Sequence, residues 1–594
     1  MRRGRTLRHL LILSALCAVA YLPGLTSHGL TNWQESIRLV VAQEMHRAAN
    51  WVTPTVHAEP YLAKPPMLYW AQMALASLRG EAVALFDLRL AVALAGWLGV
   101  LATYLAARVL LAPSPDDETP DATDRWARAA SFWGAAFTAT GILTARASRI
   151  GELDILLLPC TGVGIAAFSA AWRTHLARRR TNIPAIALGA LAAAAAGLVK
   201  GPPGFATMLV ATLGGVLLHG AFAGRPRPRA PLFIASAVAS AAFAAWLFTA
   251  REIRDYRDIL GILIHALTAG TAFLLLARLS TRPAWLAGFL RSGVLLGPLA
   301  GMAALWLWGL ALERDVGREV VEMYAARESA ANLQPFVPAS PVRNLEAFAY
   351  GAGLGSIAAI IAAVWLVRDR PRFAPGWWVV LGWIALGFVL YSVAGTGTQR
   401  YVLPVLPGVA LLGGMWFAAA LRDLPVRVPL ARAAWTALIA LAVGQGVWYG
   451  FARDRAGYDW RSPDAFMAEL LAAQGVDPAR LATLDFWTGA IDAAAGQPVR
   501  VYRGPGMPLV DGYPHIAPKL PELTAELAAE GSEWTILVVE PPMPGQPAPA
   551  QRFADAGLAA TPIETTAEFR LDKGQDTVRA YRVTPGSPPG RPEP

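Results

Sequence analysis

The chain is built around apolar runs of roughly 17–24 residues without a charge, the length a helix needs to cross ~30 Å of hydrocarbon. A soluble fold would expose such runs and aggregate. Hydrophobic residues make up 55% of the 594 residues and charged ones 16%, where soluble domains carry about a quarter. The net charge of +10 does not point to nucleic acid, because the arginines are scattered through short loops between apolar runs. Cys17 and Cys160, the only cysteines, both lie inside apolar runs, which excludes a disulfide framework and a cysteine-based zinc site.

The runs predict thirteen spans, at about 9–25, 88–111, 129–145, 153–172, 183–198, 205–222, 232–249, 259–277, 291–312, 345–367, 377–395, 401–421 and 433–452. The first begins after a basic stretch, Met1 to Arg8, and Ala18-Val19-Ala20 resembles a signal-peptidase site. Apolar character persists to Leu25, so the expectation is a retained helix. Alternation then makes 173–182, 223–230, 278–284, 368–375 and 422–432 cytoplasmic, and all five are rich in arginine. The loop at 112–128 is acidic and fits less well. An odd number of spans leaves the C-terminus in the periplasm of an inner-membrane protein.

Two external segments are long. In the first, 26–87, Ile37, Val40, Val41 and Met45 recur at helical spacing, predicting an amphipathic helix over Glu35–Ala49 that lies on the membrane surface. The second, 313–344, mixes Glu, Arg and Pro. The domains expected are a membrane part at 1–454 and a soluble α/β domain at 455–594. In the latter Pro463–Ala473 reads as helix, and Leu481–Phe486, Thr535–Glu540 and Thr577–Val583 read as strands. The terminal GSPPGRPEP is expected to be disordered. No internal repeat points to a transporter of inverted halves.

Ionisable groups at membrane depth are costly, so those near the external rim ask for a role. They are Gln34 and Glu35, Lys64 in YLAKPPMLYW, Glu152 and Asp154, Lys200 in LVKGPPG, and Arg400 and Tyr401 in TQRYVLPVLPG. Carboxylates and cations on one face suit a reaction with a hydroxyl nucleophile and a phosphate leaving group. Each has a plainer role open to it. Lys64, Lys200 and Arg400 reach headgroups by snorkelling, Glu35 and Asp154 begin helices, and the Pro pairs delimit them. Arg251, Arg254 and Arg257 lie outside against the charge rule, as an interfacial connector or as lipid-phosphate ligands.

NWVTPTVHAEPYLAKPPMLYWAQ would be unusual by chance, since it closely resembles the first external loop of GT-C glycosyltransferases. The likeness is to the lipid A aminoarabinose transferase and protein O-mannosyltransferase-like group, whose loop reads about DW-x-x-P…G-x-PYFEKPPLLYW. LFDLRLAVALAGWLGVLATYLAARVL, LVKGPPG and RYVLPVLPGVALL agree further, spreading the match from residue 33 to about 415.

The resemblance implies a GT-C-like polytopic helical protein with a small periplasmic domain. It implies inverting transfer of a sugar from a polyprenyl phosphate to a lipid, glycan or protein acceptor at the periplasmic face. Lipid A modification and envelope glycosylation are the family's processes. Membrane lipids are the further partners, with no nucleic acid and no cofactor. The family's acidic pair falls on Gln34 and Glu35, so the first acid is missing and Glu35 or Asp154 is left as base. The family's Glu before the loop lysine is Ala63, so no metal is expected. The Arg that follows the pair is Ile37, with Arg38 beside it. Tyr61, Lys64, Lys200, Arg400 and Tyr401 are the expected donor-phosphate residues. The alternatives are a transporter or flippase of a lipid-linked molecule, and an inactive scaffold of the same fold. On this topology, a reporter fused after residue 454 should be active only in the periplasm, and one within 178–180 only in the cytoplasm; the reverse result would dissolve the shared rim.

Overall fold

The computed structural model describes residues 2–30, 33–113, 117, 119–223, 230–250, 253–280, 284–332, 337–369, 375–394, 398–423, 427–452, 463–484, 486, 488–502, 523, 525, 533–540, 547–571 and 576–585. Arg251 and the GSPPGRPEP tail fall outside these. The chain forms two compact units. The first comprises Met1–Pro23, Lys64–Leu68 and Arg89–Val447; the second comprises Gly24–Ala63, Tyr69–Leu88 and Trp448–Pro594.

The helices run α1 Arg2–Tyr21, α2 Trp33–Arg47, α3 Met67–Arg79, α4 Leu85–Leu110, α5 Pro120–Ala139, α6 Ile142–Ala147, α7 Leu157–Arg178, α8 Ile183–Lys200, α9 Pro202–Phe222 and α10 Ala230–Ala250. There follow α11 Tyr256–Leu279, α12 Ala284–Ser292, α13 Leu296–Val316, α14 Arg318–Asn332, α15 Ser340–Gly351, α16 Leu354–Asp369, α17 Pro375–Val393, α18 Leu406–Asp423 and α19 Arg427–Val447. Among the described residues ten helices are long and apolar enough to cross a membrane, and each coincides with an expected span. The expected span 345–367 is a helix pair, α15 and α16, bent by 108°. Gly353 makes the corner, at φ +58, a conformation L side chains rarely adopt. The expected span 129–145 is interrupted: α5 closes at Thr140, and Gly141 opens α6.

Small residues bring the helices of the first unit close, as suits packing without a hydrophobic drive between helices. Where α9 crosses α17, a methyl added to Gly214 would lie 2.8 Å from the Gly382 Cα, so neither position can carry a side chain without parting the helices. In the most apolar 18-residue stretch of Gln399–Asp423, the segment that holds the RYVLPVLPG motif, 94% of residues are buried, against 6% in that of Pro231–Ala250. The first is therefore the centre of the bundle and the second a face for lipid. Arg149, buried, donates to the Tyr21 carbonyl at 2.7 Å and fixes the end of α1.

In the second unit α2 covers most of the expected Glu35–Ala49 helix, but it buries Glu35, Ser36, Arg38 and Glu44 as well as Ile37, Val40, Val41 and Met45, so its burial does not follow the expected amphipathic pattern. A hairpin follows, β1 Thr55–Val56 and β2 Glu59–Pro60. The C-terminal sheet has the order β4-β3-β5-β8-β6, with β7 also on β8. Its strands are β3 Leu481–Leu484, β4 Arg500–Tyr502, β5 Trp534–Glu540, β6 Leu558–Ile563, β7 Phe569–Leu571 and β8 Asp576–Pro585. β3 runs parallel to β4 and β5, while β8 is antiparallel to β5, β6 and β7.

Strand side chains alternate between faces, and both faces are covered. Trp534, Ile536, Val538, Tyr581 and Val583 pack with Phe553 of α22 (Pro549–Asp555). Leu537, Val578 and Ala580 pack with Phe466 and Met467 of α20 (Asp464–Ala468) and Ile491 of α21 (Gly489–Ala495). All three expected strands and the helix near Pro463 are present; β4, β6 and β7 are short strands without an alternating pattern. Glu469 takes the amides of Ala567 and Thr566 at 2.8 Å, and these donors hold its carboxyl below the ordinary range.

The two-residue turn of the β1–β2 hairpin has an unusual sequence. His57 and Ala58 lie at φ +54 and +63, where Asn-Gly is the favoured pair. Ala58 occupies the position of the Gly in the loop pattern above. A non-glycine residue in this conformation costs roughly 1–2 kcal/mol, and glycine adds back ~0.5–1 kcal/mol of unfolded-chain entropy. Ala58→Gly should therefore raise the unfolding midpoint of the detergent-solubilised protein, by no more than about 1 kcal/mol in stability; a lowered midpoint would mean that the methyl group makes a contact worth more than the strain.

Candidate active site

Three chain breaks at helix ends build a charged cluster in the first unit. A single turn of 3-10 helix, Leu153–Leu156, precedes α7 and carries Asp154. A second, Gln399–Val405, precedes α18 and carries Arg400 and Tyr401. The two turns pack against each other, and the first also meets α8. Lys200 is the last residue of α8, where a cation complements the negative end of the helix dipole.

Gly201 then leaves the helix at φ 69, ψ −152, a region essentially reserved for glycine. Pro202 and Pro203 start α9 at once, which suits proline because first-turn amides need no partner. The KGPP sequence is thus a sharp reversal that leaves Lys200 at the tip.

Asp154 is 2% exposed. Its Oδ1 accepts a charge-assisted hydrogen bond from the Lys200 ammonium, and its Oδ2 lies 3.7 Å from Arg400 Nε. The Tyr401 ring sits under both cations, 3.6 Å from Lys200 Nζ and 5.5 Å from Arg400 Cζ. Lys64 is close enough to Lys200 to act on it electrostatically. Behind the cluster Tyr391 bonds Thr207 at 2.8 Å and lies within electrostatic range of Asp154. Five expected residues therefore converge: Asp154, Lys200, Arg400, Tyr401 and Lys64.

Glu152, also 2% exposed, joins them, with Oε1 3.8 Å from Arg400 and 3.6 Å from Arg146. The sequence marked Glu152 as a rim residue but gave no signal for Arg146, whose partner is set by the turn between α6 and α7.

Glu35 and Tyr61 belong to the second unit. Glu35 is buried in the first turn of α2, where an anion complements the helix dipole. Beside it, the Gln34 carbonyl oxygen accepts from Arg38 Nη2 at 3.4 Å, and Arg38 is itself buried. Tyr61 is nearly buried, and its amide bonds the Pro54 carbonyl at 2.8 Å, extending the hairpin. Arg257 pairs with Glu346 at 3.2 Å, within the first unit.

No family model matches the sequence. Over 96 residues it is 36% identical to the undecaprenyl phosphate-alpha-4-amino-4-deoxy-L-arabinose arabinosyl transferase of Pseudomonas savastanoi pv. phaseolicola (strain 1448A / Race 6). That match spans 16% of this chain and 18% of the relative's length. The structural likeness runs the full length. ArnT from Cupriavidus metallidurans bound to undecaprenyl phosphate superimposes with a TM-score of 0.58 at 16% identity, covering 98% of each chain. Its apo form gives 0.57 with the same coverage. The fold is that of ArnT, a GT-C architecture. The membrane helices and the C-terminal sheet domain are both part of that likeness.

The Lys200–Gly201 corner gives a direct test of how the cluster is held. Gly201→Ala forces a side chain into a glycine-only conformation at a cost of about 1–3 kcal/mol. Nothing lies within 4 Å of the added methyl, so strain alone is at work. A lowered melting midpoint in detergent is expected, and an unchanged midpoint would show that the corner relaxes freely.

Proposed function

We propose that the protein transfers a sugar from a polyprenyl-phosphate donor to a lipid, glycan or protein acceptor at the periplasmic face of the inner membrane. The observation that carries this reading is the buried Asp154 gripped by Lys200 and Arg400 over Tyr401, in a chain with the ArnT fold. The division of labour proposed with it gives residues 1–454 the reaction and leaves 455–594 as a periplasmic domain.

In this reading the donor phosphate competes for the cations that hold Asp154. A carboxylate bonded to an ammonium is a weak base, and it becomes stronger as the cation is drawn away. Lys200, Arg400 and Lys64 neutralise the phosphate, with Tyr401 beneath the first two. The freed carboxylate accepts the proton of the acceptor hydroxyl. The hydroxyl oxygen bonds to the sugar C1 as the C1–O bond to phosphate breaks, with inversion, and polyprenyl phosphate leaves. Glu35, the remaining member of the family's acidic pair, is the alternative base.

Purified protein given a labelled polyprenyl-phosphate sugar and candidate acceptors tests the reading. Transfer is expected, with Asp154→Asn lowering turnover by ~10²–10⁴. Glu35→Gln is measured beside it, and Lys64→Ala should weaken use of the donor. If Glu35→Gln alone collapses turnover, the base is Glu35. If both variants keep it, neither carboxylate is the base. Movement of intact lipid-linked sugar between leaflets without transfer would replace the reading by that of a flippase.

A further inference from the structure

Arg400 stands between two acids of the first unit that are held in different ways. Asp154 takes the Lys200 ammonium within hydrogen-bond distance, so it has a partner before Arg400 is counted. Glu152 has none so close. Among the described residues its carboxylate takes no hydrogen bond, and one oxygen, Oε1, lies 3.8 Å from Arg400 Nη1 and 3.6 Å from Arg146 Nη2. The groups also differ in access. The Glu152 side chain is 3% exposed, whereas Arg400 keeps 24% and Arg146 47%. An anion from outside can therefore meet the guanidinium groups, while the acid is sheltered.

Packing secures Arg400 in this place. Its 3-10 turn lies against the one that Glu152 opens, and the Tyr350 hydroxyl ties it to α15 by donating to Gln399 Oε1. What Glu152 adds is mainly charge.

Charge here acts on leaving more than on arriving. The donor of the proposed reaction is a phosphate diester with one negative charge. The lipid product is a monoester, which carries about 1.5 to 2 negative charges at neutral pH. A buried carboxylate beside the same guanidinium therefore opposes the product roughly twice as strongly as the donor. We propose that Glu152 promotes release of the polyprenyl-phosphate product by competing with it for Arg400. This rests on the reading that Arg400 takes the donor phosphate, and Glu152 acts through Arg400 without touching the substrate. The plainer role of Glu152, a counter-charge that staples two turns together, predicts lower stability and looser binding when it is removed.

Calorimetric titration of the full chain in detergent micelles with a polyprenyl phosphate, beside steady-state transfer from the labelled donor, separates the two. Glu152→Gln, which keeps the shape, should bind polyprenyl phosphate about tenfold more tightly. Its kcat and KM should both fall, because product release then limits turnover. Glu152→Asp, which keeps the charge, should return toward the unaltered protein. Arg146→Ala leaves Oε1 to Arg400 alone and should loosen binding, the opposite sign at a residue that meets the same oxygen. In an Arg400→Ala background Glu152→Gln should change the affinity little, since its effect runs through that guanidinium. Melting curves confirm that each variant is folded. Unchanged or looser binding by Glu152→Gln overturns the proposal, and so does tightening that survives Arg400→Ala. Should Glu152→Gln not fold, tighter binding by Arg146→Ala overturns it instead. The expected affinities in a protein that transfers no sugar would remove the transfer reading and leave Glu152 as the competitor at a phosphate site. A protein that binds no polyprenyl phosphate overturns both.

Discussion

A carboxylate with 2% exposure at the end of an apolar helix is the constraint around which the membrane unit is arranged. Removing an ion from water costs several kcal/mol even after relaxation, so a carboxylate buried like Asp154 calls for cations beside it. They come from far along the chain, Lys200 from the tip of α8 and Arg400 from the turn before α18. Each is delivered by a local break: a glycine-only corner at Gly201 and a 3-10 turn at Gln399–Val405. Regular helices would carry these side chains past the acid. The close packing at Gly214 and Gly382 fixes α9 against α17, and with it the corner at Gly201 from which α9 starts.

That arrangement holds more cations than acids: Lys64, Arg146, Lys200 and Arg400 gather around Glu152 and Asp154. Two cations face Asp154, and Arg400 is shared with Glu152, which also reaches Arg146. In the proposed reaction the donor phosphate, a singly charged diester, would compete with the carboxylates for these cations, and each cation that turned to it would unburden an acid. The second unit handles its acids in the opposite way. Glu44 and Asp492 are saturated by amide, hydroxyl and imidazole donors, so their charge stabilises a hairpin that His-Ala would not hold by propensity. One unit keeps its carboxylates exchangeable, and the other uses them as fixed struts.

Much of this was legible in the sequence because it is written in runs. Ten expected spans are helices of sufficient length, and the strands at Leu481, Thr535 and Thr577 stand out by apolar alternation. The breaks were less legible. The interruption after Thr140 and the 108° bend at Gly353 depend on single residues inside apolar stretches, where composition does not change. Five site residues converge as expected, since each was a rare ionisable or polar group in an apolar setting. Arg146 gave no such signal. Nor did the bond between His57 and Asp492, which are 435 residues apart and meet only through the packing of α2 on α21.

The substitution of glutamine at position 34 bears on which acid does the chemistry. Gln34 offers Arg38 a neutral carbonyl, so the buried guanidinium gains a hydrogen bond but no counter-charge from that side chain. Glu35 therefore supplies a negative charge to α2 at a helix N-terminus. The positive end of the helix dipole there complements that charge. Asp154 is instead paired with the side chains of Lys200 and Arg400. A helix dipole cannot be drawn off by a substrate, whereas a lysine can. This asymmetry is the ground for proposing Asp154 over Glu35 as the general base. In the proposed reaction it also ties proton abstraction to the presence of the donor.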